Sequence, residues 1–146
     1  VGINLAIRIA SLFYVEAEGT IKRTVEISNL AFKKESASEP LLIQMDLRNA
    51  GNVDITAGGS FHFIDKQSIV VARGEFKDMY TFPGDTVKLT ATWKETLPVG
   101  KHDAVFTIDI GKALEEAGIG RGPVITKEAQ IEIGKNGEVI RIGELK

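Results

Sequence analysis

Residues 80–110, YTFPGDTVKLTATWKETLPVGKHDAVFTIDI, decide the fold class of this chain. Val87, Leu89, Ala91 and Trp93 alternate with Thr86, Lys88, Thr90, Thr92 and Lys94, the two-residue period of a strand with one face in a core. Pro83-Gly84 stands before it. Proline fixes φ at one corner of a turn, and glycine accepts the positive φ that a type II turn needs at the next. A second alternation, His102, Ala104, Phe106, Ile108 and Ile110, is reached through Leu97-Pro98-Val99-Gly100. Two such strands, with Trp93 pointing inward, need an opposing sheet.

The flanking sequence supplies it. Leu41, Ile43, Met45 and Leu47 alternate with Leu42, Gln44, Asp46 and Arg48. Upstream, residues 24–30 (TVEISNL) place Val25 and Ile27 inward, and Ile3, Leu5, Ile7 and Ile9 alternate near the start of the chain. Residues 12–15 are apolar on both faces, so Ser11 marks a bend where this first strand passes between sheets. Residues 33–40, KKESASEP, are polar and small, which predicts an exposed loop holding the Lys33-Lys34 pair. Asn49-Ala50-Gly51-Asn52 is a turn, Gly58-Gly59 suits a bulge or a close backbone approach, and Asp65-Lys66-Gln67-Ser68 joins 61–64 to 69–72 as a hairpin.

Downstream, residues 112–117 (KALEEA) predict a helix of about one and a half turns, ended by Gly118, Gly120, Gly122 and Pro123. Residues 124–133 form a last long strand, and Gly134-Lys135-Asn136-Gly137 turns into 138–142. Roughly nine or ten short strands with almost no helix predict an all-β, antiparallel two-sheet sandwich. It carries one short helix near 112–117 and a C-terminal β-hairpin. A closed barrel is the other architecture that fits. Residues 1–146 are expected to form one domain, with 138–146 as a C-terminal arm.

The chain has 146 residues, is 43% hydrophobic and 26% charged, and has a net charge of −2. A chain of this length buries roughly 70% of its unfolded surface, enough for a core without a metal or disulfide. Basic residues are scattered, so no electrostatic footprint for nucleic acid is present. With no cysteine, thiol chemistry is excluded. No apolar run approaches the roughly 20 residues of a membrane-spanning helix. Val1 opens inside an apolar alternation, which suggests that a preceding segment was removed.

The Pro-Gly turn, the inward Trp93 and the Leu97-Pro98-Val99-Gly100 connection resemble the later half of an immunoglobulin-like sandwich. Arg8 on an early strand, TVEISN (24–29), LIQMDLRN (42–49), FPGDTVKL (82–89) and LPVGKH (97–102) resemble the N-terminal domain of periplasmic pilus-assembly chaperones and related bacterial cell-surface modules. The resemblance implies a non-catalytic, extracytoplasmic module with a protein partner. It implies that Arg8, on the first strand, and Lys127, on the last, hold a client's C-terminal carboxylate. It also implies that the last strand, with Ile125 and Ile131, lends apolar residues to the client's sheet. Those chaperones have a second sandwich domain, for which these 146 residues are expected to leave no room.

Read for chemistry alone, His62 and His102 stand one per strand without a second ligand at metal spacing, and are expected to be partly exposed strand residues. No G-x-S-x-G is present for a serine nucleophile. Gly118 to Gly122 follow a short helix instead of opening one, the wrong order for a phosphate loop. Asn49, Asn52 and Asp54 could offer oxygens to calcium but match no loop consensus. The expectation is a binding or structural module of the bacterial envelope, with no cofactor, working by edge-strand pairing. Ile140 and Ile142 of the arm would fill a partner's pockets, or those of a second copy. A carbohydrate-binding module is the alternative, resting on Trp93 turned outward beside Tyr80 as a stacking surface.

Overall fold

Each alternation read above within the described residues becomes a strand, and these strands divide into two antiparallel sheets. The computed structural model describes residues 19–111 and 123–146. Within them lie β1 (Val25–Lys33), β2 (Leu41–Asn49), β3 (Ile55–Ile64), β4 (Val70–Thr81), β5 (Thr86–Trp93), β6 (Gly100–Asp109), β7 (Val124–Ile133) and β8 (Val139–Ile142). One sheet has the order β1-β2-β5 and the other β4-β3-β6-β7-β8. This is an all-β two-sheet sandwich compatible with an immunoglobulin-like fold. The described residues contain no helix. The helix expected at 112–117, the glycine run after it and the N-terminal strand carrying Arg8 lie outside the described residues.

The period of two fixes which side chains meet. Leu41, Ile43, Met45, Leu47 and Leu89 are buried on one sheet, and Phe61, Phe63, Ala104, Phe106 and Ile108 on the other. Phe61 is the hub: its ring lies 5.2 Å from Phe63, 6.1 Å from Phe76 and, across the sheets, 6.5 Å from Trp93. Phe32 crosses to Phe63 at 6.1 Å. Opposite Phe61 on β4 stands Gly74, and the ring covers the space a side chain there would need. Trp93 turns inward as expected, half-buried against the margin of the core.

The turns follow the expected chemistry. At Phe82-Pro83-Gly84-Asp85, Gly84 has φ 87° and the Asp85 amide donates to the Phe82 carbonyl at 3.0 Å, a turn that only a residue free of a Cβ adopts without strain. The register of β3 against β4 shifts between Ala57 and Gly59. Gly59 has φ 149°, and a Cβ there would run into the Thr107 carbonyl, so the glycine pair is both a bulge and a close approach.

Two strands run longer than their patterns suggest. β1 continues to Lys33 because a bulge between Ser28 and Ala31, with Asn29 at φ 53°, resets its alternation and brings Phe32 inward. β4 extends from Val70 to Thr81, although Arg73, Glu75, Lys77 and Asp78 break its apolar pattern. It is the outer strand of its sheet, where charge on the solvent face is tolerated and guards against edge-to-edge pairing.

Phe61→Ala should cost roughly 3–5 kcal/mol, and Trp93→Ala a smaller amount of about 2–3 kcal/mol because its ring is only half-buried. Urea midpoints in that order would confirm Phe61 as the hub; the reverse order would refute it.

Candidate functional site

Two places on the sandwich concentrate polar or unpaired groups: the end of β2, and the edge beyond β7. At the first, Asn49 is fully buried. Its side-chain amide donates to the Val53 carbonyl at 2.8 Å and to Thr81 Oγ1 at 3.3 Å, and its Oδ1 accepts from the Gly51 amide at 3.1 Å. Its own amide donates to the Asp85 carbonyl at 2.9 Å, and its carbonyl accepts from the Gly84 amide at 2.8 Å. Thr81 Oγ1 in turn donates to the Ile55 carbonyl at 3.2 Å. The asparagine is therefore a structural node.

The oxygens considered for calcium are engaged in the same region. Asn52 Oδ1 accepts from the Lys22 amide at 2.7 Å, and Asp54 accepts from the Tyr80 hydroxyl. Among the described residues no group of three or more carboxylate, histidine or cysteine side chains is arranged to hold a metal ion.

The histidines do not converge. His62 lies on the outer face of β3 between Arg73 and Val105. His102 is 3% exposed on the inner face of β6, which corrects the expectation of partial exposure. The reason was in the sequence: His102 is in phase with Ala104, Phe106 and Ile108. Its Nδ1 is 3.1 Å from the Gly100 carbonyl, and a carbonyl only accepts, so Nδ1 carries the proton. Opposite sheet faces keep the two imidazoles from acting on one substrate.

At the second place, β7 pairs with β6 over its whole length, Val124 against Asp109 through Ile133 against Gly100. On its other side β8 covers Ile131 to Ile133, and the C-terminal arm continues the pairing. The Gly143 amide donates to the Gln130 carbonyl at 2.7 Å. Glu128 and Lys146 exchange both main-chain bonds, at 2.9 and 2.8 Å. The amide and carbonyl of Glu128 therefore point away from β6. Main-chain groups two residues apart point the same way, so those of Thr126 and Val124 face the same edge. Among the described residues nothing pairs with them there.

The side chains singled out from the sequence fall on this margin. Ile125 and Lys127 are half-buried on the inner face of β7, and Ile131 is buried at 2% exposure. Ile140 and Ile142 remain 58% and 41% exposed. Arg8 lies outside the described residues. The last strand is thus no simple edge: its second half is already covered by the chain's own arm, which packs as an added strand. The sequence pattern of β7 could not show this, because pairing on a strand's flank leaves no mark on the alternation of its faces.

The aromatic alternative changes membership. Trp93 faces Phe61, and the exposed rings among the described residues are Tyr80 and Phe82, 5.2 Å apart and at 87° to one another, so the pair is not a flat platform. Compared with known proteins, the chain matches no family model and no curated protein. No helix among the described residues is long and apolar enough to cross a membrane.

Asn49→Ala would orphan the Val53 carbonyl and the Gly51 amide and should cost roughly 2–4 kcal/mol, read as a lower denaturation midpoint; a midpoint unchanged would deny the node. A second group is sensitive to pH. The Asp46 carboxyl accepts from Asn29 at 2.8 Å and from Lys88 at 3.0 Å. Those bonds, with the Lys88 charge, hold its pKa below the ordinary carboxylate value. A folded pKa below the unfolded one gives stability that is present above the unfolded value and lost as pH falls through the folded one. Between about pH 5 and pH 2, the native chain should therefore lose more stability than Asp46→Asn. Parallel curves in acid melts would refute this.

Proposed function

We propose that this chain is a non-catalytic binding or structural module of the bacterial cell envelope that accepts an extended strand of a partner protein along β7. The observation that carries the reading is the pair of rungs at Val124 and Thr126, open among the described residues and continuous with the rungs that the arm occupies. Main-chain pairing supplies affinity in such an interface, and alternate side chains supply register. Val124, 38% exposed, and the half-buried Ile125 and Lys127 border the open stretch.

The envelope location rests on the sequence resemblance to pilus-assembly chaperones and their surface relatives. A chaperone-like form of the activity would pair a client strand beside Lys127, with Arg8 as the second anchor. That form has a restriction here, since β7 is engaged by the arm from Glu128 onward. A carbohydrate-binding role is the second reading and would fall to Tyr80, Phe82 and Asp54.

Hydrogen exchange gives a direct test. The amides of Val124 and Thr126 should exchange fast in the free chain and slow when an extended peptide is added. The synthetic segment of residues 138–146, EVIRIGELK, serves as the probe because the same sequence already pairs with the neighbouring stretch of β7, from Glu128 to Ile133. Thr126→Pro removes an amide that points away from β6, so the fold should tolerate it while the added peptide no longer protects Val124. Val124 and Thr126 amides that exchange at the same rate with and without the peptide would overturn the proposal.

A further inference from the structure

The outer face of the five-stranded sheet is hollowed where the arm joins it. Three depressions, of about 100, 150 and 420 Å³, meet around Gln130, which lines all of them. Lys101 is shared by the two smaller ones, Asp103 by the smallest and the largest, and Gly143 by the two larger. Together they form one groove, with β6 and β7 as its floor and the arm as a wall. Gly143 keeps the wall close to the floor: a Cβ there would stand 3.2 Å from the Gln130 carbonyl oxygen.

The two sheets use the charges on their outer faces differently. On the three-stranded sheet Arg48 pairs with Glu26 at 3.2 Å, and Lys88 with Asp46 at 3.0 Å. In the groove, Arg141 reaches Glu132 at 3.9 Å, but no ion pair among the described residues engages Lys66, Lys101, Asp103, Glu128 or Glu144. These free charges are sorted by sign. Lys66 and Lys101 line the hollow at the end where β6 begins. Glu128 and Glu144 line the largest hollow, where Lys146 is the one cation among them. Lys101 stands opposite Glu132 and Val105 opposite Glu128, so the two ends lie four residues apart along the sheet, about 13 Å. His102, 3% exposed, lines the smallest hollow, and its Nε2 has no hydrogen-bond partner among the described residues. A buried polar atom left in that state is uncommon in a folded chain.

We propose that this groove binds a short extended segment of a partner protein, with an acidic side chain at the Lys66 and Lys101 end and a basic side chain four residues away at the Glu128 and Glu144 end. Charge complementarity selects the two ends. Spacing selects the backbone: an extended chain covers about 13 Å in four residues and returns its side chains to the same face. Between the ends, the Gln130 carboxamide offers both an acceptor and donors, the complement of a peptide group. The inference goes beyond the strand-acceptor reading and does not rest on it, because the groove uses side chains on a face and the open rungs use main chain on a flank. It also gives the arm a task, since Gly143, Glu144 and Lys146 line the groove by packing beside β7. Charge contacts in an open groove are screened by salt, so the binding is weak and salt-dependent.

The probe is the peptide acetyl-Glu-Thr-Ser-Thr-Lys-amide, with two controls that carry Glu at both ends or Lys at both ends. Added to the 146-residue chain, it should move the amide chemical shifts of Lys101, Asp103, Gln130 and Gly143, and move them less in about 1 M salt. The mixed-charge probe should bind roughly tenfold more tightly than either control. Lys101 and Glu128 are exposed, so reversing either charge should leave the melting curve in place. Lys101→Glu should weaken the mixed probe by roughly tenfold and strengthen the control with Lys at both ends. Glu128→Lys should weaken it likewise and strengthen the control with Glu at both ends. Unmoved shifts at those amides, three probes of equal affinity, or reversals that leave the order of the probes unchanged overturn the inference. Protection of Val124 and Thr126 by the 138–146 peptide is a separate readout, so the groove and the strand-acceptor reading can each fail while the other stands.

Discussion

Asn49 sits at the end of the sandwich where two of the chain's three described passages between sheets lie side by side. β2 leaves one sheet through residues 50–54 to enter β3, and β4 returns through residues 82–85 to β5. The side chain of Asn49 bonds the first passage at Val53 and Gly51, and its main chain bonds the second at Gly84 and Asp85. An amide buried without partners would cost several kcal/mol. Fully paired, it permits one relative placement of the two connections and few others. The hydrophobic core says that two sheets should stack; this polar node says how their ends are joined.

Between the passages, packing follows from one aromatic hub. Phe61 touches rings from β3, β4 and the opposing β5, so the centre of the core is aromatic. Exposure rises along the inner face toward the edge, from Ile131 at 2% to Ile142 at 41%. The sandwich thus has a well-covered centre and an incompletely covered flank at β7 and β8. Among the described residues, unpaired main-chain groups and half-buried apolar side chains are there together, and these are the features on which the proposed strand pairing relies.

The histidines and asparagines show why residue type alone is a poor guide to chemistry in an all-β chain. His62 and His102 both stand on strands of one sheet, yet one faces solvent and the other the core. The oxygens of Asn49, Asn52 and Asp54, near one another in sequence, each accept from a different donor, the amides of Gly51 and Lys22 and the hydroxyl of Tyr80. A site needs convergence. Alternation along a strand sends neighbours to opposite faces.

Much of the architecture was legible before any coordinates. Clean alternation in 41–47, 87–93 and 102–110 determined three strands and their inward faces, because burying one side of a strand is a local property of a period-two pattern. Pro83-Gly84 and Gly58-Gly59 determined a turn and a bulge, because their φ requirements are intrinsic. The length of β4 was not legible, since an outer strand satisfies its main chain on one side and needs little apolar patterning. Nor was the occupation of β7 by the C-terminal arm, or the burial of Asn49 amid partners up to 36 residues away, from Gly51 to Asp85. Hydrogen bonds between strands join main-chain groups that every residue has, so which strands lie side by side leaves no signature in the side chains and was decided by the tertiary structure alone.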